Sequence, residues 1–141
     1  MILPDVNLLL YAFRKDTPDH AKYRDWLSDI VNGSAAYGIS PQVLANVIRV
    51  ATHPRIYKVP SRLDQATAFA SLLIDQRHCQ IVTPGPRHWS IFLKLCAAAN
   101  AAGNIVQDAW FAALAIESGC EWITIDRDFA RFSGLRWRPP F

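Results

Sequence analysis

The chain has 141 residues, a formal net charge of +3 and a hydrophobic fraction of 51%; this fits one domain that buries its own core without a disulfide or structural metal. Cys79, Cys96 and Cys120 are far apart, odd in number and free of any C-x-x-C spacing, which argues against a disulfide framework and against zinc. No basic leader precedes the first apolar run, Asp5 interrupts it, and Ala109 to Ile116 is too short to span a bilayer, so we expect a soluble, cytoplasmic protein without membrane contact.

Met1 to Asp5 is a short apolar run ending in an acid, followed by Asn7 and the helical run Leu8 to Phe13. A buried parallel strand leading into a helix reads this way. Thr17-Pro18 then predicts a second helix capped by Thr17, amphipathic through Trp26, Leu27 and Ile30, and stopped at Asn32-Gly33. Ala35 to Ile39 is a second strand, and Ser40-Pro41 opens a helix over Gln42 to Thr52 that ends before His53-Pro54. Ser61 is expected to cap a helix from about Arg62 to Gln76, followed by a third strand at Cys79 to Val82. An alanine-rich helix runs from Arg87 to Ala102 and stops at Gly103. Trp89 and Trp110 read as core or dimer contacts.

The next stretch, Asn104 to Phe129, concentrates the chemistry. Asn104 reads as an N-cap with Gln107 as its partner, and Asp108 lies one turn into the helix, near its positive end. Gly119 stops the helix, and a strand from Cys120 to Ile125 runs into Asp126-Arg127-Asp128. Asp5 and Asp126 thus share one placement, an acid at the carboxyl end of a buried strand, where ligands of parallel sheets collect. Taken singly, Asp108 could only complement the helix dipole and Asp126 could only cap the turn that follows. A last strand, Leu135 to Trp137, ends before Pro139-Pro140. Four arginines against Asp128 within residues 127–141 supply a surplus equal to the whole net charge of +3, so an anionic partner is permitted but not required. Strands and helices alternate throughout residues 1–141, which indicates a single α/β domain with a parallel sheet.

Three short motifs in this order, Asp5-Val6-Asn7-Leu8-Leu9, Gly103 to Ala109 and Thr124-Ile125-Asp126-Arg127-Asp128-Phe129, resemble those of PIN-domain ribonucleases. More closely, they look like the VapC toxins of bacterial toxin-antitoxin pairs. The resemblance covers the full chain. It implies a three-layer α/β/α fold with a four- to five-stranded parallel sheet, and a metal-dependent endoribonuclease held as a homodimer and inhibited by a cognate VapB antitoxin. Carried over by position, Asp5, Asp108 and Asp126 would be the catalytic, metal-binding acids for Mg2+ or Mn2+, with Asp128 accessory. Asn7, Asn104 and Thr124 would orient them.

One departure concerns the helix after the second strand, where PIN nucleases commonly carry a glutamate. Here Gln42 to Thr52 contains no acid, and Asn46 stands roughly in its place. An amide can hold a metal-bound water but supplies no charge. Either Asp128 fills that role, or one metal suffices, or activity is reduced.

For RNA contact the expected residues are Arg14, Arg49 and Arg55, beside strand-end loops. No histidine, His53 included, has a persuasive role. Two rival readings are a phosphotransfer or receiver domain, disfavoured because no lysine stands at a strand end, and a catalytically weak or silent PIN-like module that binds RNA or protein.

Overall fold

The computed structural model describes residues 1–141. Strand β1 (Ile2–Pro4) leads through Asp5 into helix α1 (Val6–Phe13), and α2 (His20–Asn32) packs back on α1. Strand β2 (Tyr37–Ile39), α3 (Pro41–Ala51), α4 (Leu63–Ile74) and β3 (Cys79–Ile81) follow. Helices α5 (His88–Ala99) and α6 (Asn104–Ser118), strand β4 (Glu121–Ile123), a short 3-10 helix (Arg127–Arg131) and strand β5 (Trp137–Arg138) complete the chain.

Every strand pairing is parallel. The order is β1-β4-β5 in one ladder, and β2-β3 in a second. β2 lies directly against β1 without ladder bonds: a Cβ at Gly38 would meet Ile2 O at 3.2 Å and Val82 Cγ2 at 3.0 Å, so only glycine lets the two pairs approach this closely. The three-layer α/β/α arrangement is therefore present, with five strands in two abutting ladders rather than one continuous sheet. β4 is flanked on both sides, which buries Trp122 and Ile123 fully.

A single core cluster of 30 buried residues holds the layers together. Helix α6 is its centre. Ala109, Ala112, Ala113 and Ala115 are buried together with Phe111 and Leu114, and their small side chains let α5 and the sheet approach the helix on different sides. Phe111 stacks on Trp122, with centroids 5.6 Å apart, and Trp122 meets Phe129 at 5.4 Å. Those contacts fix α6, β4 and the 3-10 helix relative to one another, and with them Asp108 in α6, Asp126 just past β4 and Asp128 in the 3-10 helix.

Several element ends differ from the sequence expectation. Thr17 does not cap α2; its hydroxyl donates to the carbonyls of Arg14 (2.6 Å) and Tyr11 (3.1 Å), which closes the preceding turn and delays the helix to His20. Ser61 does not cap α4 either, because its hydroxyl oxygen accepts from Arg14 Nη1 at 2.9 Å, and α4 begins at Leu63. Helix α5 ends at Ala99, capped by Asn100 at a left-handed φ of 48°, short of Gly103. Gly103 instead precedes α6 with φ 58° and ψ −129°, a conformation open to glycine, so Asn104 is the first helical residue rather than the cap. Ser40 and Pro41 open α3 as cap and first residue, as their types dictate.

Candidate active site

Asp5 follows β1 directly. Its backbone N–H donates to Ile123 O at 2.9 Å, extending the β1-β4 register by one residue. Its Oδ1 accepts from Val6 N at 2.6 Å and its Oδ2 accepts from the Thr124 hydroxyl at 2.6 Å. Thr124 is fully buried, and its oxygen in turn accepts from Asp126 N at 3.0 Å. A single hydroxyl thus couples the ends of the two central strands. Burial pushes the Asp5 carboxyl up to about 6, against the lowering effect of the Thr124 and Val6 bonds and with a further upward push from Asp108 and Asp126.

Asp126 caps the 3-10 helix, Oδ1 accepting from Asp128 N at 2.9 Å. Asp128 is exposed and 3.7 Å from Arg131 Nη2. Asp108, half-buried in α6, is also raised above the ordinary carboxylate range: burial is the main cause, Asp126 and Asp128 add to it, and Arg131 opposes it.

These acids share one open cleft of about 430 Å³. Asp5, Asp108, Asp126 and Asp128 line it together with Asn7, Asn104 and Gln107, while Asn46 and Arg49 enter from α3. Phe111 and Phe129 form part of its floor. Positions 5 and 126, 121 residues apart in sequence, meet because β1 and β4 are neighbours whose chains run the same way. Thr124 lies behind the cleft and acts on it through Asp5.

Two of the arginines considered from sequence lie elsewhere. Arg14 is buried, bound to Asp16 through Nε and Nη2, to Ser61 and to the carbonyls of Ala51 and Val59, with its guanidinium 3.6 Å above the Tyr57 ring. It ties the end of α1 to the α3–α4 loop, so it is not available to RNA. Arg55 sits in that loop outside the cleft, its N–H donating to His53 Nδ1. Gln107 lines the cleft although sequence suggested only a capping role. A signal for it existed, since Asn104, Gln107, Asp108 and Phe111 fall at the i, i+3, i+4, i+7 spacing of one helix face.

No three His, Cys, Asp or Glu side chains close into a ready coordination shell. The donor chemistry nevertheless fits a hard divalent cation: the cleft offers carboxylate and amide oxygens and no thiol or imidazole. Mg2+ keeps several waters and needs only one or two direct carboxylates, so separated acids around a shared space suit it.

A family model described as PIN domain matches residues 2–135. The chain belongs to the PIN-domain family. Within it the chain stands with the VapC ribonucleases: VapC43 of Mycobacterium tuberculosis is 39% identical over 140 residues, spanning 99% of this chain and 95% of its own. VapC31 of the same organism is 39% identical over 141 residues, 99% of each chain. The fold is also that of a chain in the structure of VapBC2 from Rickettsia felis bound to a DNA fragment from their promoter, with a TM-score of 0.72 over 99% of this chain and 98% of that one at 19% identity.

Proposed function

We propose that this protein is an endoribonuclease, the toxin of a VapBC-type toxin-antitoxin pair, and that it hydrolyses RNA phosphodiester bonds with Mg2+ or Mn2+ held by Asp5, Asp108 and Asp126. One observation carries the reading: three acids from opposite ends of the chain line a single cleft at the carboxyl ends of adjacent parallel strands. Asp128 is accessory, exposed at the rim. Asn7, Asn104 and Gln107 add neutral polar groups, and Thr124 holds Asp5 in orientation.

In the reaction a water oxygen adds to phosphorus, one P–O ester bond breaks and the leaving oxygen takes up a proton. A bound divalent ion supplies acidification of water and charge compensation on the phosphate. The chain's own part is to aim Asp5 through two short hydrogen bonds and to present Asp108 and Asp126 to the same space. One of the three acids orients or deprotonates the attacking water. Arg49 and, farther out, Arg55 contact RNA phosphates.

A VapB-type antitoxin as partner is supported by the VapC relatives and by the shared fold with the VapBC complexes of Rickettsia felis and Haemophilus influenzae. Exposed Trp89 and Leu93 on α5 support a homodimer. The absence of any helix long and apolar enough to cross a membrane is compatible with a cytoplasmic site of action.

A catalytically silent PIN-like module is favoured by one feature, an α3 without any acid. Incubation of the protein with RNA and Mn2+ or Mg2+, beside Asp126→Asn and an EDTA control, separates the two. Cleavage by wild type alone, abolished by EDTA, supports the enzyme; equal products from wild type and variant, or none from either, sink it.

A further inference from the structure

We propose that Arg49 contacts the scissile phosphate itself, so that the site works with a guanidinium on one side of the phosphate and a single divalent ion on the other. This deepens, and rests on, the nuclease reading above. Arg49 is the one cationic side chain among the residues lining the cleft, which otherwise carry four carboxylates. It forms an ion pair with none of them: the salt bridges of this protein involve Arg14, Arg24, Arg62, Arg131 and Arg138. An arginine that shares a cleft with four acids yet stays more than 4.0 Å from every carboxylate oxygen leaves a gap between opposite charges. A cation held by the acids would supply positive charge on one side of such a gap and Arg49 on the other, which suits a phosphate bound between them.

Asn46 explains why the guanidinium stays free. Its Oδ1 accepts from Arg49 Nε at 3.4 Å, one turn earlier on the same helix face. Nη1 and Nη2 make no protein hydrogen bond and form the fork that a phosphate oxygen pair accepts. A carboxylate at position 46 would instead pair with Arg49 and cancel its charge. The neutral residue on α3 thus belongs with the arginine, and α3 acts as the phosphate-facing wall rather than as a site for another metal ion.

The test uses the full-length protein, a fluorescently labelled mixed-sequence RNA, and Mn2+ titrated calorimetrically in the absence of RNA. Arg49→Gln and Arg49→Lys, both at an exposed helix position and checked by thermal melting, are expected to lower kcat about 100-fold or more. Mn2+ affinity should be unchanged or tighter, with one ion per chain. The slope of log RNA affinity against log salt should fall by about one for the glutamine variant. Asn46→Glu is expected to behave like Arg49→Gln, although it adds an acid. Full activity in Arg49→Gln, loss of Mn2+ binding in it, or a more active Asn46→Glu that takes up two ions would overturn the proposal. Those results require an active wild type; an inactive wild type, with Asp126→Asn no different, fails the nuclease reading itself.

Discussion

Thr124 donates its hydroxyl to Oδ2 of Asp5 over 2.6 Å while accepting from Asp126 N over 3.0 Å. Two strand ends, and two of the acids in the cleft, are therefore held by one buried oxygen.

Replacing Thr124 by valine keeps the shape but leaves Asp5 Oδ2 and Asp126 N without this partner. Each is a buried or half-buried polar group, so the loss should be about 1–3 kcal/mol in denaturant unfolding. Removing a bond that lowers the Asp5 carboxyl should also move the acidic limb of the cleavage–pH profile upward. Thr124→Ser should show neither effect fully.

Asp5 makes stability depend on pH in a definite sense. Its folded value of about 6 lies above the ordinary 3.8, so the folded state holds the proton more tightly than the unfolded one. The charged form is disfavoured on folding by on the order of 3 kcal/mol. That penalty is fully present above about pH 6 and vanishes as pH falls through this window toward 3.8. Comparing wild type with Asp5→Asn from pH 8 to pH 4 should show wild type gaining relative stability as the pH drops. A pH-independent difference would contradict a carboxyl whose burial outweighs its two hydrogen bonds.

Divalent ions should act on the same group in reverse. At pH 7.5, Mn2+ should raise the melting temperature of wild type, and far less that of Asp5→Asn; at pH 5 proton competition should diminish the effect. EDTA should end cleavage without unfolding the chain, because 30 buried apolar residues hold the layers together.

Arg14 should prove structural. Arg14→Met removes the bonds of a buried guanidinium to Asp16, to Ser61 and to the carbonyls of Ala51 and Val59, and should destabilise by about 2–3 kcal/mol. Activity per folded molecule should stay near wild type, since Arg14 does not line the cleft.

Gly103 and Gly119 bracket α6 and offer a paired comparison. Both have positive φ, and no neighbouring atom stands within 4 Å of where a Cβ would be, so alanine meets a conformational penalty rather than a clash. Gly103→Ala, at φ 58° and ψ −129°, should lower both stability and kcat, because the turn it starts carries Asn104, Gln107 and Asp108. Gly119→Ala, in the left-handed region at φ 71° and ψ 16°, should lower stability alone.

Much of the site was already legible in the linear order. Apolar runs ending in Asp5 and Asp126, a glycine-delimited helix bearing Asp108, and strands alternating with helices all follow from local residue types. Parallel α/β topology then requires the strand ends to share one rim. Element boundaries were less legible where a side chain had two possible partners: Thr17 and Ser61 both look like helix caps, but each hydroxyl is engaged elsewhere, one by local carbonyls and the other by Arg14.

What the sequence alone determined is the set of elements and the acids at their ends, because hydrophobic periodicity, caps and glycines act over a few residues. What only the tertiary structure decided is which polar groups meet. Arg14 and Arg49 look alike in sequence, each beside a loop, yet one is enclosed by Asp16, Ser61 and Tyr57 and the other shares a cleft with four carboxylates and pairs with none. Long-range packing assigns those partners, and no local pattern encodes it.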